Sequence, residues 1–69
     1  MNFTTLSKVL AQYNAIHIYE IDGTNETELG KFDSINDVDE KLNDRLVLKV
    51  YASFDYDTQL PIIVVILSN

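Results

Sequence analysis

The feature that most constrains this chain is its C-terminal apolar run, Leu60, Pro61, Ile62, Ile63, Val64, Val65, Ile66 and Leu67. Side chains alternate between the two faces of a strand. Leu60, Ile62, Val64 and Ile66 therefore point one way, and Ile63, Val65 and Leu67 the other. Both faces call for burial, which places the segment inside a sheet rather than at its edge. Pro61 is tolerated near the strand start, where a missing ladder donor costs least. A membrane-spanning helix needs roughly 20 apolar residues, so this run predicts a strand and not a span.

The other elements follow from local patterns. Phe3, Leu6, Val9, Leu10 and Tyr13 recur at helical spacing and predict an amphipathic N-terminal helix of about three turns, with Asn14 as a left-handed stop. Residues 15–21 are rich in β-branched and aromatic side chains, and Asp22, Gly23, Thr24 and Asn25 supply a turn. Residues 28–32 return as a short edge strand. Ser34 then reads as the N-cap of a second helix, with Ile35, Val38 and Leu42 as its buried stripe. Its acids lie early and Lys41 and Arg45 late, complementing the helix dipole; Asp37, Lys41 and Arg45 run at i, i+4 and i+8. Two further strands, 46–53 and 59–68, are joined by a hairpin loop over Phe54, Asp55, Tyr56, Asp57 and Thr58.

The expected fold is thus a single compact α+β domain over residues 1–69, an N-terminal helix followed by ββαββ, with two helices packed on a four-stranded sheet and the last strand central. A right-handed crossover permits the order 2-1-4-3; a wholly antiparallel order is the alternative. The 2-1-4-3 arrangement is similar to a β-grasp preceded by an extra helix.

Composition narrows function by exclusion. The chain has 69 residues, 11 Asp plus Glu against 5 Lys plus Arg, one His and no Cys. A chain this short buries only about 60% of the surface its unfolded form exposes, so its core must be efficient or shared. Without cysteine there is no disulfide, thiolate metal site or cysteine nucleophile, and the lone His17 makes no His-rich metal centre. Only Gly23 and Gly30 are available for a phosphate loop, and no Ser lies in a nucleophile motif. No enzyme, cofactor or metal site is expected. The net charge of −6 opposes direct nucleic-acid binding. With no basic-then-apolar leader at Met1 and no span, the expectation is a cytoplasmic protein.

Three surfaces remain as candidates. If the helices share one sheet face, an apolar row is left on the other, and Tyr19, Ile21, Tyr51, Ile63, Val65 and Leu67 are the candidate interface for a homodimer or a protein partner. If instead each helix covers its own face, the chain is complete as a monomer. The second candidate is acidic. Residues 20–44 carry nine acids and two bases, a local net of −7, whereas 45–69 sum to zero. On the expected second helix Asp37, Glu40 and Asp44 form a row that could imitate phosphates before a basic nucleic-acid-binding protein, or could simply be a solvated face. The third is the contact loop, where Phe54, Asp55, Tyr56 and Asp57 set two carboxylates beside two aromatics. Together these point to a small interaction or regulatory module, with an acidic mimic of the kind made by phages and mobile elements as the alternative.

Overall fold

The structure is a computed structural model that describes residues 1–10 and 15–68. It is built on one mixed four-stranded sheet: β1 (Ala15–Asp22), β2 (Asn25–Phe32), β3 (Val47–Asp55) and β4 (Leu60–Ser68), in the order β2-β1-β4-β3. β1 and β2 form an antiparallel hairpin, as do β3 and β4, and the hairpins meet where β1 runs parallel to β4. β4, apolar on both faces, is an internal strand.

The first hairpin turns at Gly23, whose φ of 63° is free of steric cost without a Cβ. Positive φ at the first central residue only is the pattern of a type II′ turn, which matches the twist of the flanking strands. Gly30 serves differently. A Cβ there would lie 2.6 Å from the Phe32 ring, so the missing side chain makes room for that ring beside the core. The second hairpin turns over 56–59 with a non-glycine residue, Gln59, at φ 58°. Left-handed backbone costs a residue with a Cβ about 1–2 kcal/mol, and glycine returns about 0.5–1 kcal/mol of that as lost unfolded-state entropy. Gln59→Gly is therefore expected to stabilise the fold by about 0.5–1 kcal/mol, read as a higher urea midpoint; a lower midpoint would contradict it.

Two expectations are corrected. The N-terminal helix, α1, spans only Phe3–Ser7. Asn2 caps it, its side chain accepting from the Thr5 amide at 3.0 Å, but Thr4, Thr5 and Ser7 are weak helix formers whose hydroxyls bond locally or elsewhere. Phe3 and Leu6 are buried, while Val9 is 75% exposed, so the helical stripe ends after two members. Leu10 is half-buried against the core; Tyr13 and Asn14 lie outside the described residues.

The second helix does not form. Residues 34–44 make two short 3₁₀ turns, Ile35–Asp37 and Glu40–Leu42, separated by Val38 and Asp39 in extended conformation. The cause is local. Asp, Asn and Ser side chains compete for backbone amides, and here Ser34 caps the Asn36 amide at 3.2 Å while Asp39 caps that of Lys41 at 3.0 Å. A second cap inside the expected helix restarts the chain instead of continuing it. Ile35, Val38 and Leu42 still reach the core, because successive turns of three residues meet the same apolar spacing. The strand order is the expected 2-1-4-3, but the second helix of the β-grasp-like arrangement is replaced by these two turns, so one helix and not two packs on the sheet.

Both short elements lie on one face. Phe3 and Leu6 of α1 pack on Ile16 and Ile18 of β1 and on Val65 and Leu67 of β4, with Ile35, Val38, Leu42 and Val47 around them. Arg45 fastens this layer. Its backbone carbonyl accepts from the Phe3 amide at 2.9 Å. Its guanidinium donates to the Ser68 carbonyl at 2.8 and 2.6 Å and to Glu20 at 2.6 Å, joining the end of the crossover to the ends of both central strands. The sequence pattern had aligned Arg45 with Lys41 and Asp37; its partner is Glu20, on another element.

Candidate interaction edge

The opposite sheet face carries His17, Tyr19 and Ile21 from β1, Ile62, Val64 and Ile66 from β4, and Lys49, Tyr51 and Ser53 from β3, as the register dictates. Among the described residues no second layer covers it. Its central side chains are buried all the same: Val64 lies between His17 and Tyr51, and Ile66 between Tyr19 and Lys49. Flanking side chains do the covering, and the Lys49 ammonium sits 5.2 Å from the Tyr51 ring centre.

The six candidate interface residues therefore do not form one surface. Tyr19, Ile21 and Tyr51 belong to this open face, whereas Val65 and Leu67 are fully buried beneath α1 and Ile63 packs against the same core. The helix expected to carry the acidic row is absent as well. Asp37 and Glu40 stand on separate 3₁₀ turns, Asp44 follows the second, and the extended pair between them removes the helical face that aligned the three.

The contact loop is part strand and part turn. Phe54 and Asp55 close β3, and Tyr56 and Asp57 enter the turn. The Phe54 and Tyr56 rings meet edge to face at 5.3 Å, and the Asp55 carboxylate accepts the Asp57 amide at 2.9 Å. That bond, opposed by partial burial and helped by the Thr58 amide and by His17 and Lys31, holds the Asp55 carboxyl below the usual aspartate range. Asp55 is thus charged at neutral pH. Its other oxygen lies 3.7 Å from His17 Nε2. With Tyr19, Tyr51, Tyr56 and Asp57 the pair lines an open cleft of about 370 Å³. Among the described residues no three His, Asp or Glu side chains converge as a metal site would need, and no helix is long and apolar enough to cross a membrane.

Much of the exposed apolar surface runs along β3. Leu48, Val50, Tyr51 and Phe54 are each 40–53% exposed, next to Leu46, and Lys49 is the one charge between Val47 and Asp55. β3 is also an edge strand. The other edge, β2, carries features that discourage strand addition: Glu26, Glu28 and Lys31 punctuate it, Lys31 and Glu28 pair at 3.7 Å, and an extra residue at Leu29 breaks its register near its middle. β3 has one such irregularity, at Leu48, beyond which its pairing with β4 is regular to Asp55. The outer side of its first residue is taken, since the Val47 amide donates to the Met1 carbonyl at 2.8 Å. From residue 49 to residue 55, no described residue pairs with that outer side. The sequence carries a signal for this edge, a β-branched and aromatic run with one charge over 47–54, but which strand lies at an edge depends on pairings distant in the chain.

Compared with known proteins, the chain matches no family model, no curated protein and no solved structure.

Proposed function

We propose that this chain is a protein-interaction module that works by sheet extension, taking a strand from another polypeptide along the outer edge of β3. The observation behind the reading is the contrast between its two edges, one charged and interrupted, the other apolar and regular over 49–55. Main-chain hydrogen bonds supply affinity in this mode and alternate side chains supply selectivity. A cysteine-free chain suits a reducing compartment, so the proposed setting is the cytoplasm.

The outward amides identify themselves. In an antiparallel ladder, alternate residues turn their N–H and C=O groups toward the neighbour and the rest turn theirs away. Pro61 has no N–H and stands opposite Phe54, which marks that pair as non-bonded. Phe54, Ala52 and Val50 consequently aim their backbone groups at the open side. Amide hydrogen exchange of these three is expected to slow by at least about tenfold when the chain is bound to its partner or concentrated to self-associate, with little change at Glu26 and Glu28 on the other edge. Unaltered exchange at 50, 52 and 54 in both conditions would refute the reading.

A further inference from the structure

We infer that the strand added to β3 is β3 of a second copy, antiparallel and centred on Ala52, so that two chains form one eight-stranded sheet. The inference rests on the sheet-extension reading above and names its occupant.

The free edge sets the register. Among the described residues its outer side is unpaired from residue 49, after the irregularity at Leu48 and the bond to Met1, to residue 55, where the strand ends. A segment pairing antiparallel with its own copy about a two-fold axis uses its whole length only when the axis passes through its midpoint, here Ala52. Backbone parity agrees, since Val50, Ala52 and Phe54 carry the outward groups. In this register Val50 bonds with Phe54 of the partner subunit, Ala52 with Ala52 of the partner subunit, and Phe54 with Val50 of the partner subunit.

Side chains then match on both faces. On the core side the exposed pair Val50 and Phe54 becomes two cross-strand contacts around the small Ala52. On the open face Lys49 stands opposite Asp55 of the partner subunit, and Asp55 opposite the partner's Lys49, so the only two charges on the paired segment neutralise each other twice. An axis through Tyr51 would set Lys49 against Ser53 and Asp55 against Val47, leaving both charges unmatched. The overall charge of −6 does not oppose this union locally, because the excess acid lies in 20–44 and residues 45–69 are neutral. Of those acids, Glu26 and Glu28 on β2 are three strand spacings away, about 14 Å, beyond the screening length of about 8 Å at physiological salt.

The absence of cysteine makes the register directly testable. A residue on the axis faces its own copy at about 5.5 Å between Cα atoms, within disulfide range. Ala52→Cys is expected to cross-link into a dimer under mild oxidation, faster than Tyr51→Cys or Ser53→Cys. In sedimentation velocity the unmodified chain is expected to pass from monomer to dimer with rising concentration. Ala52→Pro, which deletes an outward N–H and spares the pairing with β4, is expected to remain a folded monomer. Because Asp55 also serves the turn, the charge match is tested by mixing: Lys49→Glu alone is expected to weaken the dimer at least about tenfold, and adding Asp55→Lys chains to form mixed dimers. Faster cross-linking at 51 or 53 would overturn the register. A chain monomeric at every concentration, with residues 50, 52 and 54 protected by a different protein, would overturn the inference and leave the sheet-extension reading standing; a monomer with no protection would remove both.

Discussion

Phe3→Ala is expected to destabilise the protein by about 3–5 kcal/mol, the range for emptying a buried aromatic site. Domains of this kind hold about 5–15 kcal/mol in total, with small ones at the low end, so a substantial unfolded population should appear at 37 °C by circular dichroism. The size of the effect follows from how little covers the sheet. α1 contributes two buried side chains, Phe3 and Leu6, and Phe3 is 1% exposed among Ile16, Ile18, Val65 and Leu67. Val9→Ala is the internal control. Val9 projects into solvent, so its loss should stay within about 0.5 kcal/mol. A large loss at Val9 would mean that the helix continues past Ser7 and buries a third residue.

Arg45→Met should cost about 2–3 kcal/mol, the scale for hydrogen bonds to a charged group when the acceptors stay behind. Glu20 and the Ser68 carbonyl would lose their shared donor while remaining sheltered, and a loss of this size lowers the midpoint of a 69-residue domain by roughly 10–20 °C. Arg45→Lys should recover little. One ammonium cannot reproduce the fork that reaches a carboxylate on one strand and a carbonyl on another. Equal melting of Arg45→Lys and the unmodified protein would show that the charge matters and the fork does not.

The strands were legible in the sequence because their signals are local and redundant. Residues 15–21 combine β-branched side chains with turn chemistry at Asp22 and Gly23, and the two-faced run from Leu60 to Leu67 could be nowhere but inside a sheet. The helices were not legible, for one shared reason. Apolar spacing of three and four is a property of helices, but Ile35, Val38 and Leu42 satisfy it across two separate turns. The opposing signal is the density of Asp, Asn and Ser over 34–44, since each side chain can cap a turn and end it. The acidic row of Asp37, Glu40 and Asp44 was drawn on that helix, and the three now stand on two turns and the residues after them.

The candidate surface was missed for a different reason. On the open face Ala15, Tyr19 and Ile21 of β1 pack against Ile62, Val64 and Ile66, and an alternation pattern assigns side chains to faces without registering how far they lean over a neighbour. Which strand is an edge, and which backbone groups look outward, depends on pairings between residues far apart in the chain. Pro61 gave the parity of β3 only once its position opposite Phe54 was known.

The parallel seam between β1 and β4 has a consequence for how the molecule assembles. Each hairpin closes on a short turn, at Gly23 and at 56–59, and such closures take about 1–10 μs. The seam brings together Ala15 and Ile62, which are remote in the chain, and the loop entropy it must overcome is correspondingly larger. On loop entropy alone the two hairpins close before their union at the seam. Before that union β4 shows a bare flank to water, and the stretch most liable to aggregation is the one that ends up deepest inside the finished protein.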